Sequence, residues 1–267
     1  MKLLNGSELA GYIKARHARQ VRTLKGSKIF PKLAIVQAND DPVIDTYVRL
    51  KMRYGDDIGV KVDHHKAAQV DLPQLLDMLS NDDSVHGVIV QLPLEDTSKT
   101  EEVVNLITPE KDVDALGARS DFIAATPQAI MWLLSGYNID IAGKKILLVG
   151  RGKLVGEPME KLLRQSGYEP AVIDKPTSKL AEYVNQSDLI ITATGQPGLI
   201  KPEMLTAGAV VVDAGVATDK GRLIGDLDPA VYDREDLTLT PVKGGVGPLT
   251  VCALFENLLQ AAAHAED

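Results

Sequence analysis

The chain has 267 residues, 45% hydrophobic and 25% charged, a globular composition long enough for two cores. Its 37 acidic against 29 basic side chains give a net charge of −8, which argues against a nucleic-acid-binding surface spread over the protein. The single cysteine, Cys252, excludes an internal disulfide and a thiolate metal cluster, and suits a reducing, cytoplasmic setting.

The N-terminal stretch MKLLNGSELAG reaches Asn5 and Glu8 before any apolar run of signal-peptide length. No later segment has about 18 uninterrupted apolar residues, so neither export nor a membrane partner is expected. In chain order the periodicity predicts a helix over Ser7–Leu24, whose basic residues from Lys14 to Lys25, with Lys28 and Lys32 beyond, read as a solvated face and its following loop. Strands follow at Lys32–Ala38, Val60–His65 and Gly87–Leu94, with helices at Asp45–Gly55 and Leu72–Leu79 between them. After the charged stretch PEKDVD, a domain boundary is placed within Ala115–Ala125. A helix then begins near Thr126, a plausible N-cap with Pro127 at the first helical position.

The second half predicts strands at Lys144–Gly150, Pro170–Asp174, Leu189–Gly195 and Ala209–Gly215, with Pro158–Gly167 and Ser178–Gln186 as crossover helices. Continuous rather than alternating apolar runs imply parallel sheets covered on both faces. The expected fold class is α/β: an N-terminal α/β domain over 1–120 and a Rossmann-type doubly wound dinucleotide-binding domain over 121–249. The active-site cleft is expected between them, and a last helix within 250–267 is expected to return to the first domain.

Strand Lys144–Gly150 runs into RGKLVGEPMEKLL, so Gly150, Gly152 and Gly156 form G-x-G-x-x-x-G at a strand-to-helix turn. Glycines let the backbone approach a pyrophosphate, and a helix N-terminus offers unpaired N–H groups and a favourable dipole. Asp174 lies 18 residues after Gly156, where a carboxylate favours NAD by bonding the ribose 2′-hydroxyl. Arg151 and Lys175 are equally placed to hold the 2′-phosphate of NADP, so the cofactor choice stays open on physical grounds.

In TYVRLKM, Tyr47 and Lys51 stand four residues apart. On a helix they rise ~6 Å along one edge and reach one pocket. Desolvation lowers a lysine towards the range where acid–base work is efficient. Tyr-x-x-x-Lys also occurs in short-chain dehydrogenases, but after the nucleotide loop, whereas here it comes first. Gln91 ends an aliphatic strand, at the edge where α/β proteins usually bind ligands. Asp112 and Asp114 alternate in KDVDAL, so only one of them need face a ligand.

YVRLK, VIVQLPL, PEKDVD, VGRGKLVGEP, TATGQPG, VVVDAG and PVKGGVGPLTV, in this order and spacing, resemble the methylenetetrahydrofolate dehydrogenase/methenyltetrahydrofolate cyclohydrolase family from about Leu33 to Leu258. The resemblance implies a two-step reaction on tetrahydrofolate one-carbon derivatives: oxidation of the methylene compound with NADP, then hydrolysis of the methenyl product to 10-formyltetrahydrofolate. It makes Lys51 the acid–base group of the second step, with Gln91 bonded to it and depressing its pKa. It makes Tyr47 the residue that orients the folate and Asp114 the carboxylate that holds the pterin edge, with Pro248 also on the substrate side. Thr194, Gly195, Gly215 and Val216 join the nucleotide loop as cofactor-binding positions, and Gly244, Gly245, Val246 and Gly247 form a loop closing near the nicotinamide. A homodimer is also implied.

The chain departs from the family at Ala115 and Ala129, where glycines are usual, at Ala125 in place of a cysteine, and at Gly152, where a serine is usual. It also departs at Ile44, at Lys243 in place of a proline, and at Asp174-Lys175 in place of His-Ser. These changes keep two other readings open: a drifted paralogue with one of the two activities, and a non-catalytic NAD(P)-binding module. No metal site is expected, because the five histidines lack zinc-type spacing and His64-His65 reads as a strand end.

Overall fold

A computed structural model of the chain describes residues 1–175, 177–219 and 222–265. Two compact units form: one from Gly11–Ala125 and the chain from Val251 onward, the other from Met1–Ala10 and Thr126–Thr250.

In chain order the elements are β1 (Lys2–Leu3), α1 (Gly6–Gly26), β2 (Lys32–Gln37), α2 (Pro42–Ile58), β3 (Lys61–Lys66), α3 (Leu72–Ser80), β4 (Gly87–Gln91) and α4 (Thr100–Val104). Then come α5 (Ala125–Gly136), β5 (Ile146–Val149), α6 (Gly156–Gln165), β6 (Ala171–Ile173), α7 (Leu180–Asn185), β7 (Leu189–Thr192) and β8 (Val210–Asp213). The chain ends with β9 (Ala217–Asp219), β10 (Arg222–Ile224), β11 (Thr238–Leu239) and α8 (Val246–His264).

The first unit is built on a parallel sheet ordered β3-β2-β4, with Gln37 opposite Lys66 on one side and Gln91 on the other. Alternate residues of β2 and β4 are buried on opposite faces, as continuous apolar runs require. Ala34, Val36, Val88 and Val90 pack with Leu72, Leu76 and Leu79 of α3. On the side of α2 and α8, Gly55 is the only residue that fits beside Val62 and Phe255, and Gly87 leaves room for Leu258. Helix α2 has its limits written in the sequence: Asp41 caps it by accepting the Val43 N–H at 2.6 Å, Pro42 starts it, and Gly59 ends it at φ 83°. Helix α8 has the length and composition of a membrane span, but 61% of that stretch is buried inside the protein.

The second unit carries an all-parallel sheet ordered β1-β11-β8-β7-β5-β6 and a separate antiparallel pair, β9 with β10. Leu147, Val149, Ile190, Val211 and Leu239 of the large sheet pack with Leu180 and Val184 of α7 in one core. Several element ends differ from expectation by a few residues, the unit expected over 1–120 gives up Met1–Ala10 to the other unit, and two of the shifts bear on the site. Helix α5 starts at Ala125, so Thr126 lies inside it rather than capping it, and its Oγ1 accepts from the Thr250 hydroxyl at 3.4 Å. Helix α8 starts at Val246, which puts Gly247 and Pro248 in its first turn, where proline's missing N–H costs nothing.

Candidate active site

Helix α2 buries Ile44, Val48, Gly55 and Ile58 on one stripe, and Lys51 stands in that stripe at the same spacing. Its half-buried side chain donates from Nζ to Gln91 Oε1 at 2.8 Å, and Gln91 donates in turn to the Leu92 carbonyl at 3.3 Å. Burial pushes the Lys51 amine below its usual value, while the Asp114 carboxylate pulls it the other way. Gln91 accepts the bond and is therefore not the cause of the shift; desolvation is. Tyr47, one turn earlier, is half-buried and its phenol is pushed up by the same desolvation.

The two aspartates of KDVDAL have separate duties. Asp112 is buried, bridges β4 at Val88, and accepts the Gly117 N–H at 2.8 Å. Burial pushes its carboxyl up to about 6. Asp114 is half-buried and close enough to Lys51 to act on its charge. Ala115, where the resemblance implies a glycine, lies in the left-handed region at φ 56°, a conformation that suits a residue without Cβ. From α8, the buried Asn257 donates to the carbonyls of Val113 and Ile123, both at 2.9 Å, and so holds the backbone next to Asp114. Sequence reasoning missed Asn257, although an amide beside Glu256 between the apolar pairs of LFENLL was the available signal. It also missed the buried Gln37, which donates to Asp45 at 2.8 Å and pairs through Oε1 with His64 Nε2 at 2.8 Å. Both histidines lie in β3, and among the described residues no group of three His, Cys, Asp or Glu is arranged to hold a metal.

In the other unit, β5 delivers Gly150 at φ 97°, and Gly156 opens α6. A Cβ on Gly156 would stand 2.1 Å from the Gly150 carbonyl oxygen, and one on Gly150 would stand 2.7 Å from that of Ala193, whereas Gly152 has open space around it. Two of the motif's three glycines are therefore demanded by close backbone approach. Val155 gives α6 no side-chain cap, the Glu157 N–H is taken by the Gly152 carbonyl at 3.1 Å and Pro158 has no N–H, so the fit of this turn to an anionic group rests on its glycines and on the helix dipole. Arg151 donates to Glu160 at 2.7 Å, and Glu160 also accepts from Arg164 at 3.2 Å. The exposed Asp174, just past β6, acts on Arg151 as well, and Lys175 beside it is exposed.

Thr194 and Gly195, the latter at φ 65°, follow β7, while Gly215 and the exposed Val216 follow β8. Gly244, at φ 80°, passes its carbonyl to the Ser7 N–H at 2.9 Å. Gly245 lies so close to Gly6 that a Cβ there would come within 1.8 Å of its carbonyl oxygen. The first residues of the chain thus brace this loop, a role for Gly6 that nothing in the local sequence announces. Gly247 is exposed with open space around it, and Pro248 is half-buried.

These features define a dinucleotide-binding α/β protein whose other unit is built around a half-buried lysine. Residues 4–114 match the model for the tetrahydrofolate dehydrogenase/cyclohydrolase catalytic domain, and residues 124–266 match that for the NAD(P)-binding domain of the same family. The chain is 36% identical over 279 residues to the "Bifunctional protein FolD" of Campylobacter jejuni, covering 99% of each. It is 37% identical to human cytoplasmic C-1-tetrahydrofolate synthase, across 98% of this chain and 31% of that protein. The crystal structure of the bifunctional FolD from Campylobacter jejuni superposes with a TM-score of 0.91 at 34% identity, covering 98% of this chain and 99% of that one. The Trypanosoma brucei enzyme, solved with NADP and an inhibitor, gives 0.91 at 28% identity, covering 99% and 98%. The chain belongs to the tetrahydrofolate dehydrogenase/cyclohydrolase family.

Proposed function

We propose that the protein oxidises methylenetetrahydrofolate to methenyltetrahydrofolate and hydrolyses that product to 10-formyltetrahydrofolate. The observation that carries this reading is the Lys51 amine, lowered by burial and held by Gln91 at 2.8 Å within the catalytic-domain match. In hydrolysis, water adds to the methenyl carbon and gives one proton to Lys51, which passes it to the ring nitrogen as the carbon–nitrogen bond breaks, while the remaining hydroxyl proton is released to solvent as the formyl carbonyl forms. Gln91 fixes the amine, and Tyr47 orients the folate ring beside it. Asp114 accepts the N–H donors of the pterin edge, for which a carboxylate is a strong partner.

NADP, when bound, supplies the hydride acceptor for the first step. The turn at Gly150 and Gly156, the uncapped start of α6, and Thr194, Gly195, Gly215 and Val216 would hold it. Family membership and the NADP complex of the trypanosomal relative favour NADP, while Asp174 and the pairing of Arg151 with Glu160 favour NAD. A homodimer and a cytoplasmic setting complete the reading, supported by the family resemblance and by the single cysteine respectively.

The test mixes the purified protein with methylenetetrahydrofolate and either NADP or NAD, following reduced nicotinamide and methenyl absorbance. Reduction with little methenyl accumulation supports both activities, and the faster cofactor decides the choice. Reduction with methenyl build-up leaves a dehydrogenase alone, and no reduction with either cofactor refutes the reading.

A further inference from the structure

Two carboxylates in the nucleotide-binding unit, Asp226 buried and Asp213 half-buried, have no place in the chemistry above. Asp226 is fully buried: its Oδ2 accepts the Thr192 hydroxyl at 2.5 Å and the Thr194 N–H at 2.7 Å, and its Oδ1 accepts the Gln196 N–H at 2.9 Å. These donors belong to the end of β7 and the loop that carries Thr194 and Gly195. Asp213, the last residue of β8, accepts the Gly215 N–H at 2.9 Å and the Leu227 N–H at 3.1 Å.

The two aspartates interlock through two glycines. A Cβ on Gly215 would stand 2.2 Å from Asp226 Oδ1, and one on Gly225 would stand 2.0 Å from Asp213 Oδ2. Each carboxylate therefore occupies space that only the other segment's glycine leaves open. Burial, with the neighbouring Asp226 carboxylate adding to it, pushes Asp213 up to about 6. The arrangement sets one buried carboxylate against a half-buried one, which a merely structural turn would not need. What it obtains is a charge-assisted hold on backbone N–H groups, stronger than neutral acceptors provide.

We propose that Asp226, seated against Asp213, is a positioning residue for the dinucleotide, fixing the loop after β7 and the Gly215 turn after β8 in the conformation that receives the cofactor. The proposal rests on the functional reading above, in which Thr194, Gly195, Gly215 and Val216 line the cofactor. An amide cannot replace the carboxylate. Asparagine offers one acceptor oxygen, and its NH₂ group would meet the N–H of Thr194 or Gln196 donor to donor.

The test is calorimetric titration of the full chain with NADP and with NAD, for the parent, Asp226→Asn and Thr192→Val, together with steady-state kinetics. Asp226→Asn is expected to raise the nucleotide Kd and KM about tenfold or more, with kcat much less affected. Its hydrolysis of methenyltetrahydrofolate should match the parent, a split that general unfolding would not give. Thr192→Val removes a single bond to Oδ2 without changing shape and is expected to weaken nucleotide binding by about two- to fivefold. It decides the matter on the same readout if Asp226→Asn does not fold. A folded Asp226→Asn or Thr192→Val with the parent's Kd overturns the proposal alone. A parent that binds neither nucleotide overturns the functional reading and this proposal with it.

Discussion

Gly156→Ala isolates the steric demand of the nucleotide loop. The new Cβ would lie 2.1 Å from the Gly150 carbonyl oxygen and 2.7 Å from Arg151 Cα, where ordinary contact begins at 3.4 Å, so the gap must open by 3.4 − 2.1 = 1.3 Å. Both neighbours are backbone, and no side chain can swing aside to relieve the contact. Overpacking of this kind costs about 1–3 kcal/mol, which corresponds to a roughly 5- to 150-fold loss of nucleotide affinity if the loop must open to accept the methyl group. Gly152→Ala is the matched control, since nothing lies within 4 Å of its added Cβ and its backbone is outside the left-handed region. Calorimetry with NADP and NAD should show Gly152→Ala within about twofold of the parent, the effect expected of a surface change. Methenyltetrahydrofolate hydrolysis, which the proposed function assigns to Lys51 and Gln91, should be unchanged in both variants. Equal losses in the two variants, or parental affinity in Gly156→Ala, would refute the reasoning.

Lys51→Met should lower hydrolysis by about a hundredfold or more while leaving measurable hydride transfer, the share typical of general acid–base catalysis. In the parent, the rising limb of the hydrolysis pH profile should fall below the usual lysine value of 10.5, because burial lowers the amine. Ala115→Gly should raise stability by about 0.5–1 kcal/mol in urea unfolding, since it removes a Cβ from a residue at φ 56°. Asn257→Leu leaves the Val113 and Ile123 carbonyls without their donor, and should cost about 2–4 kcal/mol and raise the folate KM through the displaced Asp114. Asp112→Asn tests the buried carboxyl, whose folded value of about 6 exceeds its ordinary 3.8. The folded state holds that proton more tightly, so the contribution is present at low pH and lost as pH rises through about 6. The difference between variant and parent should move in the variant's favour by up to about 3 kcal/mol between pH 4 and 7, and a flat difference contradicts the assignment.

Element type was legible wherever the apolar period was long. The burial of β2, β4, β5, β7 and β8 follows from runs such as AIV, VIV and ILLV, and α2 from its caps and stripe. The two-residue strands β1 and β11 were not legible, because pairing of Lys2 with Thr238 joins the ends of the chain and leaves no local period. The glycine turn at Gly150 and Gly156 could be read because glycine spacing records close backbone approach directly. Asp226 could not, since its partners lie some thirty residues earlier and one aspartate in GDLDP looks like another. Gln91 was placed by its strand-end position, but its bond to Lys51 depends on how the sheet edge meets α2, which is tertiary packing.

The lysine site can also be recognised by where the chain departs from ordinary folding rules. Lys51 occupies an inward position on a stripe of Ile44, Val48 and Ile58 where an apolar residue would pack at no electrostatic cost. Asp112 keeps a carboxyl buried beside β4, and three residues later Ala115 takes a left-handed conformation that glycine would adopt freely. Each of these costs stability, and a chain selected for stability alone would not gather them around one side chain. Their common effect is to deliver Asp114 to the neighbourhood of an amine that burial pushes below its usual value. Burial and Asp114 then oppose each other at Lys51, with burial the larger, so the amine lies below its usual value while a carboxylate still supports its charged form. A group that must accept a proton and return it within one turnover works best in that condition.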